Sequence, residues 1–579
     1  MHHSFDSNRP LRAWTVRLLP LLGALLLATL LVSAMRLSGE DAQAAAPARP
    51  VAQGTVGVTR YISTTGIDSG GCTTRFSACR TLQYAVDRAG AGDTIRIARG
   101  LYSGVVNRSG GNQMARIPVS VTIAGGYDPL NFDGAPNPVL NPVIFNLLGS
   151  GRGLVIVNGA VVTVRDLSMS GGSGTAGGGD GNGGAILVTN AGLTLNNVAV
   201  TNNSAANGGA IALFGGTANL LGVTLTNNQA AADGGALHLA GPATGSSIQI
   251  DPLSLLELNS AANNGGAMSI ANGSATITGA PLRNNTATAS GGALYLAAGT
   301  ATLNGVTVQA NTAGADGGAA ALSGGQLRAN ANSLVTLNRA NNGRGSAFFA
   351  NNAQIFVNGS TVTVQTGQGN GGVVYLQEST LNLTNNSVFS LNSTTGEGTI
   401  FAESNSTVLF DGVTAQGNRA ASGALVRADG GQVSVRNSQI ADNTATADGG
   451  ALALTAATLV LENSTFTANL ADGNGGAFTL ANGTLQVSGS TLTQNKALGD
   501  GGAAHVLIST VTLADSDWLS NQAEGSGGAI YALGSSGSGG GGRFEQNRTL
   551  TEGSGGAIFW EGPSLTFDRV VAFTGNLAG

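Results

Sequence analysis

Few side chains in this sequence could do chemistry, and their spacing limits what it could be. His238 and His505 lie far apart, and His2 and His3 sit at the extreme N-terminus. Cleaving a polymer by acid–base chemistry needs paired carboxylates, or a bound cation beside a basic group, on one face. Charged residues are only 10% of the chain and are scattered along it. The nearest pairings, Arg427 with Asp429 and Asp515 with Asp517, read as solvated turns. No Cys/His set has zinc spacing, and no serine occupies a strand-to-helix G-x-S-x-G elbow. No catalytic residue and no metal ligand is assigned on this reading.

What positions the remaining candidates is a repeat. Gly-Gly-Ala opens segments at Gly449, Gly475 and Gly501, a spacing of 26 residues. An alternating apolar stretch follows each opening, and an Asn closes it: Asn469, Asn495 and Asn521. A fixed period of this length, built from short alternating strands and turn residues, marks a solenoid. Gly-Gly openings recur from Gly183 to Gly555, with degenerate copies at Gly345, Gly398 and Gly423, giving about fifteen rungs. The expected architecture is all-β: a parallel β-helix of stacked three-strand coils. The longer step from Gly234 to Gly265 predicts a loop around 241–247.

Within a rung, alternation assigns the faces. In the Gly291–Leu296 segment, Leu294 and Leu296 point inward and Tyr295 outward. The same outward position holds His238, Tyr295, Phe349, Tyr375, His505, Tyr531 and Phe559. These rings form a candidate binding strip, or else a ladder of rings packed on one another. The closing asparagines, Asn203, Asn228, Asn285, Asn311, Asn443, Asn469, Asn495 and Asn521, read as a structural ladder hydrogen-bonded along the axis. The Gly-Gly pair reads as a tight turn with positive φ. A phosphate-cradling loop would need a helix behind it, and strands follow instead. The residue before Gly-Gly is Asn, Asp or Ser in most rungs. Stacked aspartates there would be the place for calcium, yet none occupy neighbouring rungs in this column. No cofactor is expected, with calcium at this column as the alternative.

Ahead of the repeats, residues 1–44 read as a signal peptide. Arg9, Arg12 and Arg17 precede the apolar run Leu18–Ala34, and Ala42-Gln43-Ala44 offers a cleavage site. An uncleaved N-terminal anchor is the competing reading. Residues 45–58 form a linker, 59–155 the N-terminal cap and first coils, and 156–579 the repeats. Cys79–Ala89 carries helical periodicity and would close the open end of the stack. Cys72 and Cys79, the only cysteines, are expected to form a local disulfide in an exported chain; two free thiols are the alternative. A net charge of −5 without a basic stripe gives no reason to expect nucleic acid as a partner.

The cap sequence, YISTTGIDSG followed by CRTLQYAVDRAGAGDTIRIARGLYSG, resembles the first segment of secreted right-handed parallel β-helix proteins of the pectin-lyase-like superfamily, which implies the right-handed parallel β-helix as the fold. The repeats resemble those of the polymorphic outer membrane protein family, which pair GGAI with FxxN. GGAI occurs here at Gly183, Gly208, Gly527 and Gly555. FxxN occurs at Phe389–Asn392, Phe466–Asn469, Phe544–Asn547 and Phe573–Asn576. The resemblance implies an exported cell-surface (outer membrane) or secreted protein, acting as an adhesin-like binding or structural rod. Its partner would be a glycan or a host or neighbouring cell surface. A polysaccharide lyase or glycoside hydrolase, and a passive spacer, are the alternatives. No C-terminal membrane barrel is found up to Gly579. Membrane contact is therefore expected only through an N-terminal anchor or a further C-terminal module.

Overall fold

The computed structural model describes residues 57–241 and 245–579. The signal or anchor expected at 1–44 and nearly all of the linker at 45–58 lie outside the described residues. So does the centre of the loop expected at 241–247. From Thr59 onward the chain is a parallel right-handed β-solenoid of about 18 turns, almost without helix. Among the described residues no helix is long and apolar enough to cross a membrane.

A regular coil shows how sequence becomes structure. After Gly449-Gly450-Ala451, strand one is Leu452–Thr455, strand two Thr458–Glu462 and strand three Thr465–Thr467. A two-residue strand four, Leu470–Ala471, completes the turn. Each strand pairs in parallel register with its equivalent one repeat on: Leu452 with Phe478, Leu459 with Leu485, Phe466 with Leu492 and Ala471 with Ala497. Three strands per coil were expected. The fourth is too short for alternation to register in sequence, but it forms continuous ladders of its own. Inward residues of strands one to three, such as Leu452, Leu454, Leu459, Leu461 and Phe466, are buried in one continuous apolar column.

The Gly-Gly pair does two different jobs. The first glycine has positive φ, +68° at Gly449 and +65° at Gly475. The second does not. A Cβ on Gly450 would lie 2.0 Å from the Gly476 carbonyl oxygen and 2.7 Å from Leu470 C, so strand four packs directly against it.

In the cap, strand Thr59–Ile62 pairs with Asp93–Ala98. The Arg60 guanidinium meets Asp93 at 2.9 Å in a buried ion pair. Cys72 and Cys79 are joined, both fully buried. The helix α1 spans only Leu82–Val86, shorter than the periodic stretch Cys79–Ala89. Cys79 is held extended by its disulfide and by donating its N–H to Tyr61 O, so helix cannot start before the Thr81 cap. Strand Arg152–Ile156 pairs both backward and forward, and the ladder crosses 155 unbroken. The five extra residues of the 234–265 step are divided. Register places four between Ala240 and Ser246 and one between Ile250 and Leu255.

Candidate functional site

The closing asparagines form a buried ladder. Asn443 donates its backbone N–H and its Nδ2 to Asn469 Oδ1, at 3.1 and 2.9 Å, and Asn469 donates likewise to Asn495. Each Nδ2 also reaches a carbonyl of the coil before, as Asn469 does to Ile440 O. Asn203, Asn228, Asn285, Asn311, Asn495 and Asn521 do the same. Asn259, Asn338 and Asn418, and Asn392 after Phe389, belong to the column too, although it was read without them. The first three follow Leu256, Val335 and Ala415, so like most of the asparagines already read they lack the Phe of the motif. The column runs on through Asn547 to Asn576.

The residues before Gly-Gly form a second ladder of opposite sense. The Oδ1 of Asp448, Asn474 and Asp500 each accepts the backbone N–H of the next coil, at 2.6 to 2.8 Å. Among the described residues no group of three or more His, Cys, Asp or Glu side chains converges as for a metal ion.

The aromatic column differs from an exposed strip. His238 and Tyr375 are buried, at 7% and 6% exposure, and Tyr295, Phe349, His505, Tyr531 and Phe559 are half-buried. The Gly-Gly turn folds back over this face, so alternation alone overstates its exposure. Rings on adjacent coils lie parallel: Phe349–Tyr375 at 5.8 Å, His505–Tyr531 at 5.0 Å and Tyr531–Phe559 at 4.9 Å between centroids. Parallel rings at these distances form offset stacks, with faces turned toward one another. Tyr295 is not part of a stack. It neighbours Ser269 and Ala321, and its hydroxyl meets Ser323 Oγ at 3.0 Å. His238 packs against Phe214 at 5.9 Å, its Nδ1 is buried without a partner, and burial lowers its pKa against the pull of Asp233.

Phe401 joins the first stack, 5.6 Å from Tyr375, and Arg427 follows in register. Phe401 escaped the sequence reading because the turn at Gly398 lacks one residue of the Gly-Gly-Ala pattern. Counting from Gly398 lands on Ala402 instead. The strand-one column therefore reads Ala321, Phe349, Tyr375, Phe401, Arg427, Ala453, with alanines bounding it.

Beside this column the turn ladder also breaks its pattern. Arg344 and Glu397 stand where other coils have Asn, Asp or Ser. The Arg344 guanidinium lies 4.1 Å from the Tyr375 ring centroid and 4.9 Å from that of Phe349, and 3.4 Å from Asp316 Oδ2. Burial works against its charge, but Asp316 outweighs it and raises the pKa. Arg427 pairs with Glu397 at 3.2 Å and with Asp429. The Tyr375 hydroxyl is pushed up to about 12, by burial first and by Glu403, with Arg344 opposing. A groove of ≈ 660 Å³ opens beside Asp316, Asn341, Asn342, Arg344 and Gln368.

The backbone is irregular at the same place. Ser346 replaces the second glycine, at a position where a Cβ in regular coils would meet strand four, as at Gly450 and Gly476. The strand-four ladder is cut here, between Arg339–Ala340 and Thr366–Gly367. Gln365 replaces Asn, reaching across with Oε1 to Asn338 N at 3.0 Å. Ser346 Oγ and Gln365 Nε2 are left buried without partners. One stretch of one face thus gathers the departures from an otherwise repeated surface.

A family model described as "Right handed beta helix region" matches residues 366–537. No curated protein matches the chain. Among solved structures, the PL6 family alginate lyase AlyGC is similar at 11% identity and a TM-score of 0.21, over 86% of this chain and 98% of that one. An arginine-to-alanine mutant of the same lyase aligns at 10% identity and a TM-score of 0.16, over 86% and 97%. Likeness at this level carries no argument about activity.

Proposed function

We propose that this chain is an exported β-helix, secreted or held at a cell surface, that works as an adhesin-like binding and structural rod. Its contact surface is the cluster around Arg344 and Arg427. The observation that carries this reading is the convergence there of non-repeating features. In a chain with only 10% charged residues, Asp316, Arg344, Glu397, Arg427 and Asp429 collect beside one ring stack. A purely structural coil has no need of Arg427, since Ala321 and Ala453 fill the same column on either side. Guanidinium groups, carboxylates and side-chain amides along a groove suit the hydroxyl and acid groups of a glycan on a host or neighbouring cell. The ring edges would serve as walls and not as stacking platforms. Binding is favoured over catalysis because Asp316, Glu397 and Asp429 are held by guanidinium partners.

Purified protein should bind at least one member of a panel of immobilised glycans saturably and release no reducing or unsaturated ends from it. Release of such ends would replace this reading with a lyase or hydrolase. Failure to bind any glycan or cell surface would leave a passive spacer.

A further inference from the structure

We infer that Asn342 is a site of spontaneous covalent modification, losing its side-chain amide to become aspartyl or isoaspartyl. This inference stands apart from the binding reading. Asn–Gly pairs are the chemically weakest in a chain, because glycine leaves its own nitrogen free to attack the preceding side chain. Eleven such pairs lie in the described residues. At nine of them the glycine N–H is already donated to the next coil. Gly208 donates to Asp233 O, Gly265 to Ser290 O, Gly475 to Asp500 O and Gly483 to Ser509 Oγ. Gly273 opens a strand and pairs with Ser246. Gly343 lies in no strand, and its N–H has no acceptor.

The cause is one extra residue. From strand four to the next Gly-Gly, Ala313 to Gly317 and Ala471 to Gly475 are four steps, whereas Ala340 to Gly345 is five. Asn341 and Asn342 take the ladder bonds, to Ala313 O and Gly314 O, and Arg344 N takes Asp316 Oδ1 at 2.7 Å. Gly343 is left over. The second reactant is also free: the Asn342 side chain is exposed and makes no hydrogen bond. In the turn ladder Asn474 Oδ1 is held by Asp500 N and Asn370 Oδ1 by Glu397 N.

The step balances without any oxidant or reductant. The Gly343 nitrogen bonds to Asn342 Cγ, its proton passes to solvent, and the side-chain nitrogen leaves as ammonia. One water then opens the cyclic imide at either carbonyl. The product adds a carboxylate beside Asp316 and Arg344. In the isoaspartyl form it also lengthens a turn that is already one residue long.

Folded protein is incubated in mildly alkaline buffer, with a second sample in denaturant, and both are followed by peptide mass mapping and isoaspartyl methyltransferase labelling. In the folded sample Asn342 should convert roughly tenfold or more faster than Asn207, Asn264 and Asn474, whose attack requires local opening. In denaturant that gap should close. Equal rates in the folded sample, or an unchanged ranking in denaturant, would overturn the assignment.

Discussion

At the scale of the residue, the buried asparagines carry the most per side chain. Removing Asn469 strips the Asn443 N–H of its acceptor and leaves the Ile440 carbonyl without its side-chain donor, both inside the coil. Orphaned buried groups cost about 1–3 kcal/mol each, so Asn469→Ala should destabilise its region by about 2–4 kcal/mol in urea unfolding. His238 gives a pH dependence of definite sign. Burial lowers its folded pKa below 6.5, so between those values the unfolded chain binds more protons than the folded one. Stability should therefore fall as pH drops through 6.5, before the carboxylates titrate. His505, also lowered by burial, adds to the same slope. His238→Phe, which keeps the packing on Phe214, should flatten that slope in a melting-point series; an unchanged slope would exclude His238 as its source. These residues were legible unequally. The asparagines could be read because one closes almost every repeat at the same place, but nothing in the sequence marks His238 as buried, because its cover comes from a turn of backbone.

At the scale of the element, the regular coil was legible and its exceptions were not. The period, the inward pairs and the turn glycines all follow from local chemistry that repeats, so each copy corroborates the others. Strand four shows no alternation over two residues. Phe401 and Gly343 depend on single-residue length changes in turns, which shift register without changing composition. The helix was over-read because a tertiary bond, Cys72 to Cys79, overrides periodicity at its start. Crowding at the second turn glycine can be separated from the strain of a positive φ by experiment. Gly450→Ala adds a Cβ 2.0 Å from a backbone oxygen and should cost about 1–3 kcal/mol by overpacking. Gly534→Ala, with φ +63° and its nearest contact at 3.4 Å, should cost about 1 kcal/mol through backbone strain alone. Equal melting points for the two would mean that strand four does not press on the turn.

At the scale of the whole solenoid, repetition makes a neutral background on which a site must show itself as an exception. Both ring stacks lie on the same column, yet only one gathers Arg344, Arg427 and their carboxylates. The second, His505–Tyr531–Phe559, follows the turn pattern and reads as packing, worth about 0.5–1 kcal/mol per ring pair. The central claim is that binding belongs to the first and stability to the second. One paired measurement tests it: glycan or cell-surface affinity together with thermal midpoint for Arg344→Gln/Arg427→Gln and for Tyr531→Ser/Phe559→Ser. The first variant should lose roughly tenfold or more in affinity with its midpoint nearly unchanged, and the second should melt lower with binding intact. Binding that survives the arginine changes, or that vanishes on removing Tyr531 and Phe559 without a fall in the midpoint, would contradict the account.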